Sequence, residues 1–297
     1  MSSQLRSNTT GTNRLDLKEV VKRIEAKAPT FLAESWDNVG LLVEPSSPHD
    51  VGKILLTNDL TEPVLEEAIR EKADVIFSYH PPIFTPLKRL TQKAVKERII
   101  VKCIENRIAV YSPHTVYDAL EDGVNYWLAQ STKSTDGTAV RLSYNVTQEG
   151  LTKAVQFLQD GGSDLASKTE VIQLQKVVFC LRKLEIHVLC LHNLFSIVLN
   201  RIFVFFPASP IKSVACCAGS GSSVLRGTGA DLYLTGEMSH HELLDATSQG
   251  TNVILCEHSN SERGFLKTLL KRFSEDFSDV KMDIVVSCMD VDPVTIV

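Results

Sequence analysis

The stretch Asp74-Val75-Ile76-Phe77-Ser78-Tyr79-His80-Pro81-Pro82 decides the fold class of this 297-residue chain. Its apolar first half predicts a short buried strand, and an imidazole follows that strand almost at once. On either side, strand patterns alternate with helical patterns: strands are predicted at 53–57 and 108–112, and helices at 61–72 and 91–106. Strands that alternate with helices of this length predict parallel strands in an α/β sheet.

The middle of the chain departs from this alternation. Residues 131–140 are rich in Ser, Thr, Gly and Asp and predict a linker, and 141–176 predicts a small strand–helix–strand unit. In the segment 177–211, 23 of the 35 residues are hydrophobic, and five of the twelve phenylalanines of the chain lie there. The alternation then resumes, with predicted strands at 212–218, 231–235, 253–256 and 284–287 and a helix at 262–277.

The hydrophobic segment 177–211 has three interpretations. A membrane span is disfavoured, because the uncharged run 186–200 has 15 residues and a span needs about 20. A buried core segment is the second interpretation. The favoured hypothesis is alternative splicing or a gene-model error that introduced unselected sequence, which predicts an exposed, aggregation-prone segment.

Composition excludes several classes of protein. With 31 basic and 36 acidic residues the net charge is −5, which argues against direct nucleic-acid binding. Seven scattered cysteines without a CxxC pair indicate a reducing compartment rather than a disulfide framework. Residues 1–14 are polar and predict a disordered tail, with a mitochondrial presequence as the less favoured alternative. We expect a cytoplasmic or nuclear protein.

Polar side chains that could carry chemistry follow three of the predicted strands. They are His80, the His114–Asp118 pair and the His258–Glu262 pair. Ligands of open α/β sheets bind at the carboxyl ends of the strands, and residues four apart share one face of a helix. Imidazole with carboxylate suits zinc, iron or manganese. A single histidine at a strand end is more often a packing residue, so both interpretations stay open at this point.

Five motifs together resemble the Nif-three-like family, also described as GTP cyclohydrolase I type two-like. In chain order they are 33–41 (Ala-Glu-Ser-Trp-Asp-Asn-Val-Gly-Leu), 78–84 (Ser-Tyr-His-Pro-Pro-Ile-Phe), 112–119 (Ser-Pro-His-Thr-Val-Tyr-Asp-Ala), 235–241 (Thr-Gly-Glu-Met-Ser-His-His) and 257–264 (Glu-His-Ser-Asn-Ser-Glu-Arg-Gly). The motifs are specific and occur in the family's order, and the motif sequences of animal members are the most similar.

The resemblance implies an α/β fold whose first and last thirds together form a site for two metal ions. It implies that the ligands are His80, Asp118, His258 and Glu262, with Asp118 and Glu262 bridging, and that His114 and Glu237 orient the ligands. In these terms the chain divides into a tail at 1–14, a first core part at 15–130, an inserted middle region at 131–211 made of 141–176 and 177–211, and a second core part at 212–297. A dimer or a ring of dimers is the assembly that the resemblance implies.

The sequence departs from the family pattern at Tyr79 and in the middle region. Tyr79 stands where many members carry a first histidine, and a phenol with a pKa near ~10 is a poor ligand at neutral pH. The number of divalent ions per chain, one or two, therefore stays open at this point.

The resemblance, together with the departures from the family pattern, implies two functions. The favoured one is a regulatory protein that acts through protein partners in transcriptional regulation; the alternative is a metal-dependent hydrolase of a small nucleotide-like substrate. A further, minor motif is 219–223 (Gly-Ser-Gly-Ser-Ser), which predicts a bare turn rather than a phosphate cradle.

Overall fold

The computed structural model describes residues 14–130 and 213–293, together with the backbones of three short strands at 143–144, 177–182 and 203–204. Nearly all of the predicted tail, the linker and most of the unit at 141–176 lie outside the described residues. The same holds for most of the segment 177–211, including the run considered for a membrane span.

The first sheet of the described part consists of β13 (Asp283–Val286), β4 (Lys53–Thr57), β5 (Val75–Ser78), β6 (Ala109–Ser112) and β2 (Gly40–Val43), in that order. β13, β4, β5 and β6 run parallel, and β2 pairs antiparallel with β6. A small antiparallel ribbon joins β1 (Leu15–Asp16) to β3 (Asp50–Val51). The parallel centre of this sheet is the arrangement that the alternating pattern predicts.

Alternate residues of β4 face two layers of helices. Ile54 and Leu56 pack on the side of α1 (Leu17–Lys27) and α9 (Leu266–Asp276), whereas Leu55 packs on the side of α2 (Glu62–Arg70) and α3 (Val95–Glu105). Successive side chains of a strand point to opposite faces, so a strand covered on both sides is apolar throughout. This explains why β4, β5 and β6 have no polar alternation.

The second sheet of the described part consists of β7 (Ser143–Tyr144), β8 (Val177–Arg182), β10 (Ser213–Ser220), β11 (Leu232–Glu237), β12 (Asn252–Leu255) and β9 (Phe203–Val204), in that order. β10, β11 and β12 run parallel, and the strands from the middle region pair antiparallel at both edges. β8 and β9 place parts of the segment 177–211 in this sheet. The expectation of an exposed, foreign segment covered all of 177–211; it did not predict these two paired strands, and the rest of the segment lies outside the described residues.

Short helices complete the described part around the two sheets. They are α4 (Thr115–Ala119), α5 (Val124–Gln130), α6 (Ser222–Leu225), α7 (His240–Ser248) and α8 (Asn260–Arg263). α7 begins with a capping box in which Ser239 and Glu242 each accept a hydrogen bond from the other's backbone amide. Within the described part, no helix has both the length and the apolar character required to cross a membrane.

One apolar core joins the two sheets. Val214, Leu234 and Ile254 of the second sheet belong to the same buried cluster as Ile54 and Phe77 of the first. This cluster excludes water from the interface between the two sheets, so burial of its side chains stabilises both sheets. The predicted α/β class is confirmed.

The predicted helix at 262–277 differs from what the structure shows. It is divided into α8 and α9, and the turn between them is tightened by a hydrogen bond from the Phe265 amide to the Glu262 carbonyl, 2.8 Å. At Gly264 a Cβ atom would lie 2.4 Å from Trp127 Cζ2. The backbone therefore approaches the indole as closely as a glycine allows, a contact that periodicity cannot reveal.

Candidate metal centre

The candidate site lies where carboxyl ends of strands from both sheets meet. Asn58 and Asp59 follow β4 and His80 follows β5, whereas Glu237 ends β11 and His258 follows β12. Parallel strands bring their carboxyl ends to one edge of a sheet, and such edges are the usual ligand sites of α/β folds. Here two such edges face each other.

Three side chains offer ligand atoms to a single point. His80 Nε2 lies 3.3 Å from Glu262 Oε2, and His258 Nε2 lies 3.4 Å from Glu262 Oε1. One ligand atom from each of the three residues can be chosen so that all lie within 4.8 Å of one another. A tetrahedral divalent ion with bonds of about 2.0–2.2 Å to nitrogen and oxygen has its donors about 3.3–3.6 Å apart, which the two distances between histidine and glutamate match.

Each histidine is oriented by a carboxylate on its far side. His80 Nδ1 lies 2.9 Å from Asp59 Oδ1, and His258 Nδ1 lies 2.9 Å from Glu237 Oε1. A carboxylate that accepts the Nδ1 proton leaves the Nε2 lone pair for a metal and raises the basicity of the ring. Both imidazoles therefore present Nε2 to the same centre.

Asp59 is a site residue that the sequence analysis missed. Its Oδ2 accepts a hydrogen bond from Asn58 Nδ2 at 3.3 Å and lies 4.0 Å from Arg263 Nη2. Burial acts to raise the pKa of Asp59, but the hydrogen bond and charge of His80 together with the hydrogen bond from Asn58 lower it. Asp59 follows β4 as His80 follows β5, so the strand-end argument could have identified it.

The charges at the centre are strongly coupled. Burial opposes a charged His80, but hydrogen bonds to Asp59 and Glu262 outweigh burial and raise the pKa of His80 to about 10. The hydrogen bond to Glu262 raises the pKa of His258 to about 9. Glu262 is buried, which acts to raise its pKa, yet its bonds to His258 and His80 lower that pKa to about 2. A metal ion at this point would take the place of the two imidazole protons.

Asp118 and Tyr79 form a separate pair beside the three donors. The Tyr79 hydroxyl donates a hydrogen bond to Asp118 Oδ1 at 2.8 Å. Burial raises the pKa of Tyr79 well above its usual value, so the residue stays a phenol. Burial also raises the pKa of Asp118 to about 6, against the hydrogen bond from Tyr79. Asp118 thus has a phenol partner and lies outside the group of three donors, and its role as a metal ligand stays a prediction.

His114 forms its close side-chain contact with Asp37, a partner that the four-residue spacing to Asp118 does not predict. It precedes α4 with a φ of 36°, and its Nδ1 lies 2.7 Å from Asp37 Oδ1. Asp37 also accepts hydrogen bonds from the amide and hydroxyl of Thr115. The His114 ring lies 5.4 Å from the His80 ring. A positive φ is uncommon for a residue with a Cβ atom, and here it turns the imidazole toward Asp37.

The turn at 219–223 supports the donors rather than a phosphate group. The amide of Gly219 donates to Ser261 Oγ at 2.8 Å, and that of Gly221 donates to Thr235 Oγ1 at 3.1 Å. Two of the amides that a phosphate cradle would use are therefore occupied. At Gly219 (φ +63°) a Cβ atom would lie 2.7 Å from Glu262 Oε1 and 3.0 Å from His258 Nε2. The missing side chain leaves room for the donors.

The chain is similar to known proteins along most of its length. Residues 15–293 match the model of the family Duf34/NIF3 (NGG1p interacting factor 3). NIF3-like protein 1 of Bos taurus is 40% identical over 95% of this chain and 93% of its own. NGG1-interacting factor 3 of Saccharomyces cerevisiae is 36% identical over 95% of this chain and 98% of its own.

A solved structure shows the same fold. The Bacillus cereus protein related to NIF3 superposes with a TM-score of 0.74 at 22% identity, over 95% of this chain and 99% of that one. The fold class, the family match over nearly the whole chain and the identity to the curated relatives agree with the five motifs of the sequence. The chain belongs to the NIF3 family.

Proposed function

We propose that this chain is a regulatory NIF3-family protein that holds one divalent ion, zinc, iron or manganese, through His80, His258 and Glu262. The observation that carries the metal part is the convergence of these three side chains, whose ligand atoms lie within 4.8 Å of one another. The carboxylates of Asp59 and Glu237 behind the two imidazoles support it, as does the space at Gly219. Two imidazoles and one carboxylate fit a borderline divalent ion.

One ion rather than two is the count that we propose. A second ion would use Asp118 and the histidine that many family members carry at position 79. Position 79 holds a tyrosine whose hydroxyl donates to Asp118, and a phenol with a raised pKa is a poor metal ligand at neutral pH. Asp118 therefore remains an outer residue of the centre in this proposal.

The regulatory part of the proposal draws on the yeast relative, whose name states an interaction with NGG1. We propose that this chain likewise acts through protein partners in transcriptional regulation, as a homo-oligomer in the cytoplasm or nucleus. Biolayer interferometry between the purified chain and the NGG1 counterpart of its own organism tests this. Saturable binding supports the proposal, and absence of binding at micromolar concentrations overturns the regulatory part.

A metal-dependent hydrolase is the second candidate function. Three protein donors leave coordination positions open, which is the arrangement of catalytic rather than structural metal sites. A bound divalent ion would supply Lewis acidity to water and to a substrate oxygen. Turnover of phosphoester or nucleotide substrates that is lost with Glu262→Gln would favour this candidate over the regulatory one.

Metal content tests the centre directly. The full chain is purified, supplied with zinc, iron or manganese, desalted and analysed by mass spectrometry for metal per chain. We expect about one ion in the wild type and less than a tenth in Glu262→Gln. The control Glu275→Gln removes an exposed carboxylate of α9 and should retain the ion. A wild-type chain without bound metal, or a Glu262→Gln variant with a full complement, would refute the site.

A further inference from the structure

Two aromatic side chains are exposed side by side near the candidate metal centre. Trp36 is 56% exposed and Phe84 is 41% exposed. Their ring centroids lie 5.9 Å apart with an angle of 63° between the planes, an edge-to-face contact. Among the residues that the structure describes, the other exposed large apolar side chains are aliphatic or methionine. An exposed pair of large rings is therefore a local feature and not the general character of the surface.

The exposed pair connects to a proposed metal ligand through one further ring. The His114 ring lies 6.1 Å from Trp36 and 6.2 Å from Phe84, edge-to-face in both cases. On its other side, His114 lies 5.4 Å from the His80 ring. The rings thus form a continuous row from the surface to the centre.

The segments that carry the two aromatic rings are held in place. Asp37, directly after Trp36, has a fully buried carboxylate that contacts His114 Nδ1 at 2.7 Å and accepts from Thr115. Asn38 donates a side-chain hydrogen bond to the carbonyl of Ile83, the residue before Phe84. The exposed rings are therefore pre-organised, and binding to them costs little conformational entropy.

We propose that Trp36 and Phe84 form a subsite for the planar aromatic or heteroaromatic ring of a small ligand, whose polar end reaches the centre at His80. The proposal rests on the metal site of the proposed function. Aromatic side chains with an exposed face bind flat rings by stacking, with little preference for one ring over another. Only the His114 ring separates the exposed pair from the His80 ring. One small molecule that carries a ring and an oxygen donor can therefore reach both the pair and the centre.

A single-tryptophan protein provides the readout. The chain has two tryptophans, and Trp127 lies against Gly264 and Phe265, so Trp127→Phe leaves Trp36 as the only indole emitter. Guanosine, adenosine and nicotinamide serve as ring probes, and ribose serves as the control without an aromatic ring. We expect saturable quenching of Trp36 fluorescence by at least one ring probe and none by ribose.

Variants of the two rings test the assignment independently of fluorescence. Equilibrium dialysis with the best ring probe should show about tenfold or greater weakening in Trp36→Leu and in Phe84→Leu, since stacking is lost. Leu244→Ala removes an exposed apolar side chain in α7 and should bind as the wild type does. No saturable quenching by any of the three probes, or unchanged binding in both ring variants, overturns the subsite.

Two further measurements distinguish the ring subsite from the metal centre and from a subunit interface. The dialysis is repeated with metal-loaded and chelator-treated protein, so that ring binding without retained metal supports the subsite while refuting the metal centre. Retained metal without ring binding supports the metal centre and refutes the ring subsite. Sedimentation of wild type and Trp36→Leu tests a second copy of the chain as the occupant. A smaller assembly in Trp36→Leu, together with absent ring binding, assigns the pair to a subunit interface and overturns the subsite.

Discussion

Asp59 positions a proposed metal ligand without contacting the ion. Its Oδ1 lies 2.9 Å from His80 Nδ1, and this contact keeps Nε2 of the same ring directed at Glu262. We predict that Asp59→Asn weakens metal binding about 10- to 100-fold, since the amide is a weaker acceptor for the Nδ1 proton. Competition with a chromogenic chelator measures this change.

The matched control for Asp59 is Asp245→Asn, an exposed carboxylate in α7. It should leave the affinity for metal unchanged. Equal affinity in Asp59→Asn and wild type would show that His80 is oriented without this carboxylate. Weak binding together with a lowered melting temperature in Asp59→Asn would instead indicate a loss of folding.

Gly219 gives a second prediction at the scale of one residue. Its positive φ (+63°) disfavours a side chain, and a Cβ atom there would lie 2.7 Å from Glu262 Oε1. Gly250 also has a positive φ (+83°), but nothing lies within 4 Å of its ideal Cβ position. Gly219→Ala and Gly250→Ala should each lower the free energy of unfolding by about 1–2 kcal/mol. Metal analysis should show loss of the ion in Gly219→Ala alone.

The comparison of the two glycine variants separates backbone strain from crowding of the donors. If Gly250→Ala also loses the ion, general destabilisation accounts for the loss. If Gly219→Ala retains the ion at full stoichiometry, the donors tolerate a methyl group and the space at Gly219 is not needed.

At the scale of elements, Glu67 of α2 joins this helix to the turn after β13. It is 5% exposed, and it accepts hydrogen bonds from the amides of Cys288 at 3.0 Å and Met289 at 3.3 Å. Burial acts to raise the pKa of Glu67, but the hydrogen bonds from Cys288 and Ser287 outweigh burial and lower it. The carboxylate therefore stabilises the fold when it is ionised.

We predict that Glu67→Gln lowers the free energy of unfolding by about 2 kcal/mol at pH 7, because a buried charged hydrogen-bond acceptor is lost. A folded pKa below the unfolded value of about 4.3 means that the stabilisation is complete above that pH. It is lost as pH falls through the folded pKa, so wild type and variant should converge in acid. Urea denaturation between pH 3 and 7 measures the difference, with the exposed Glu275→Gln as control. A pH-independent difference would contradict the assignment.

The elements also show what the sequence could and could not predict. Apolar runs without alternation predict β4 and β5 because both of their faces are buried. The contact between His114 and Asp37 could not be predicted from sequence spacing, because His114 precedes α4 with a positive φ instead of lying within the helix. α3 begins at Val95 rather than near 91, because the carboxylate of Glu97 turns back to accept from the Thr91 amide. Such local side-chain contacts override periodicity.

The whole molecule is predicted to unfold as one unit, because a single core contains side chains from both sheets. Phe273 of α9 contacts Phe77 of β5 in that core, with ring centroids 4.9 Å apart. Phe273→Ala should cost about 3–5 kcal/mol. Hydrogen exchange should show the same loss of protection for amides of β5 and of β11, whereas Leu244→Ala changes neither. Retained protection in β11 alone would show that the sheets unfold separately.

Under the proposed metal site, the position of the donors makes the lifetime of the fold depend on the supply of the ion. His80 follows a strand of one sheet, whereas His258 and Glu262 follow a strand of the other. An ion held by all three ties together chain segments that are far apart in sequence, and it binds the folded state alone. Each tenfold rise in free ion above the dissociation constant then adds about 1.4 kcal/mol to the free energy of unfolding. In a cell, scarcity of the ion would shorten the survival of this protein against proteolysis, and its abundance would report the availability of the ion.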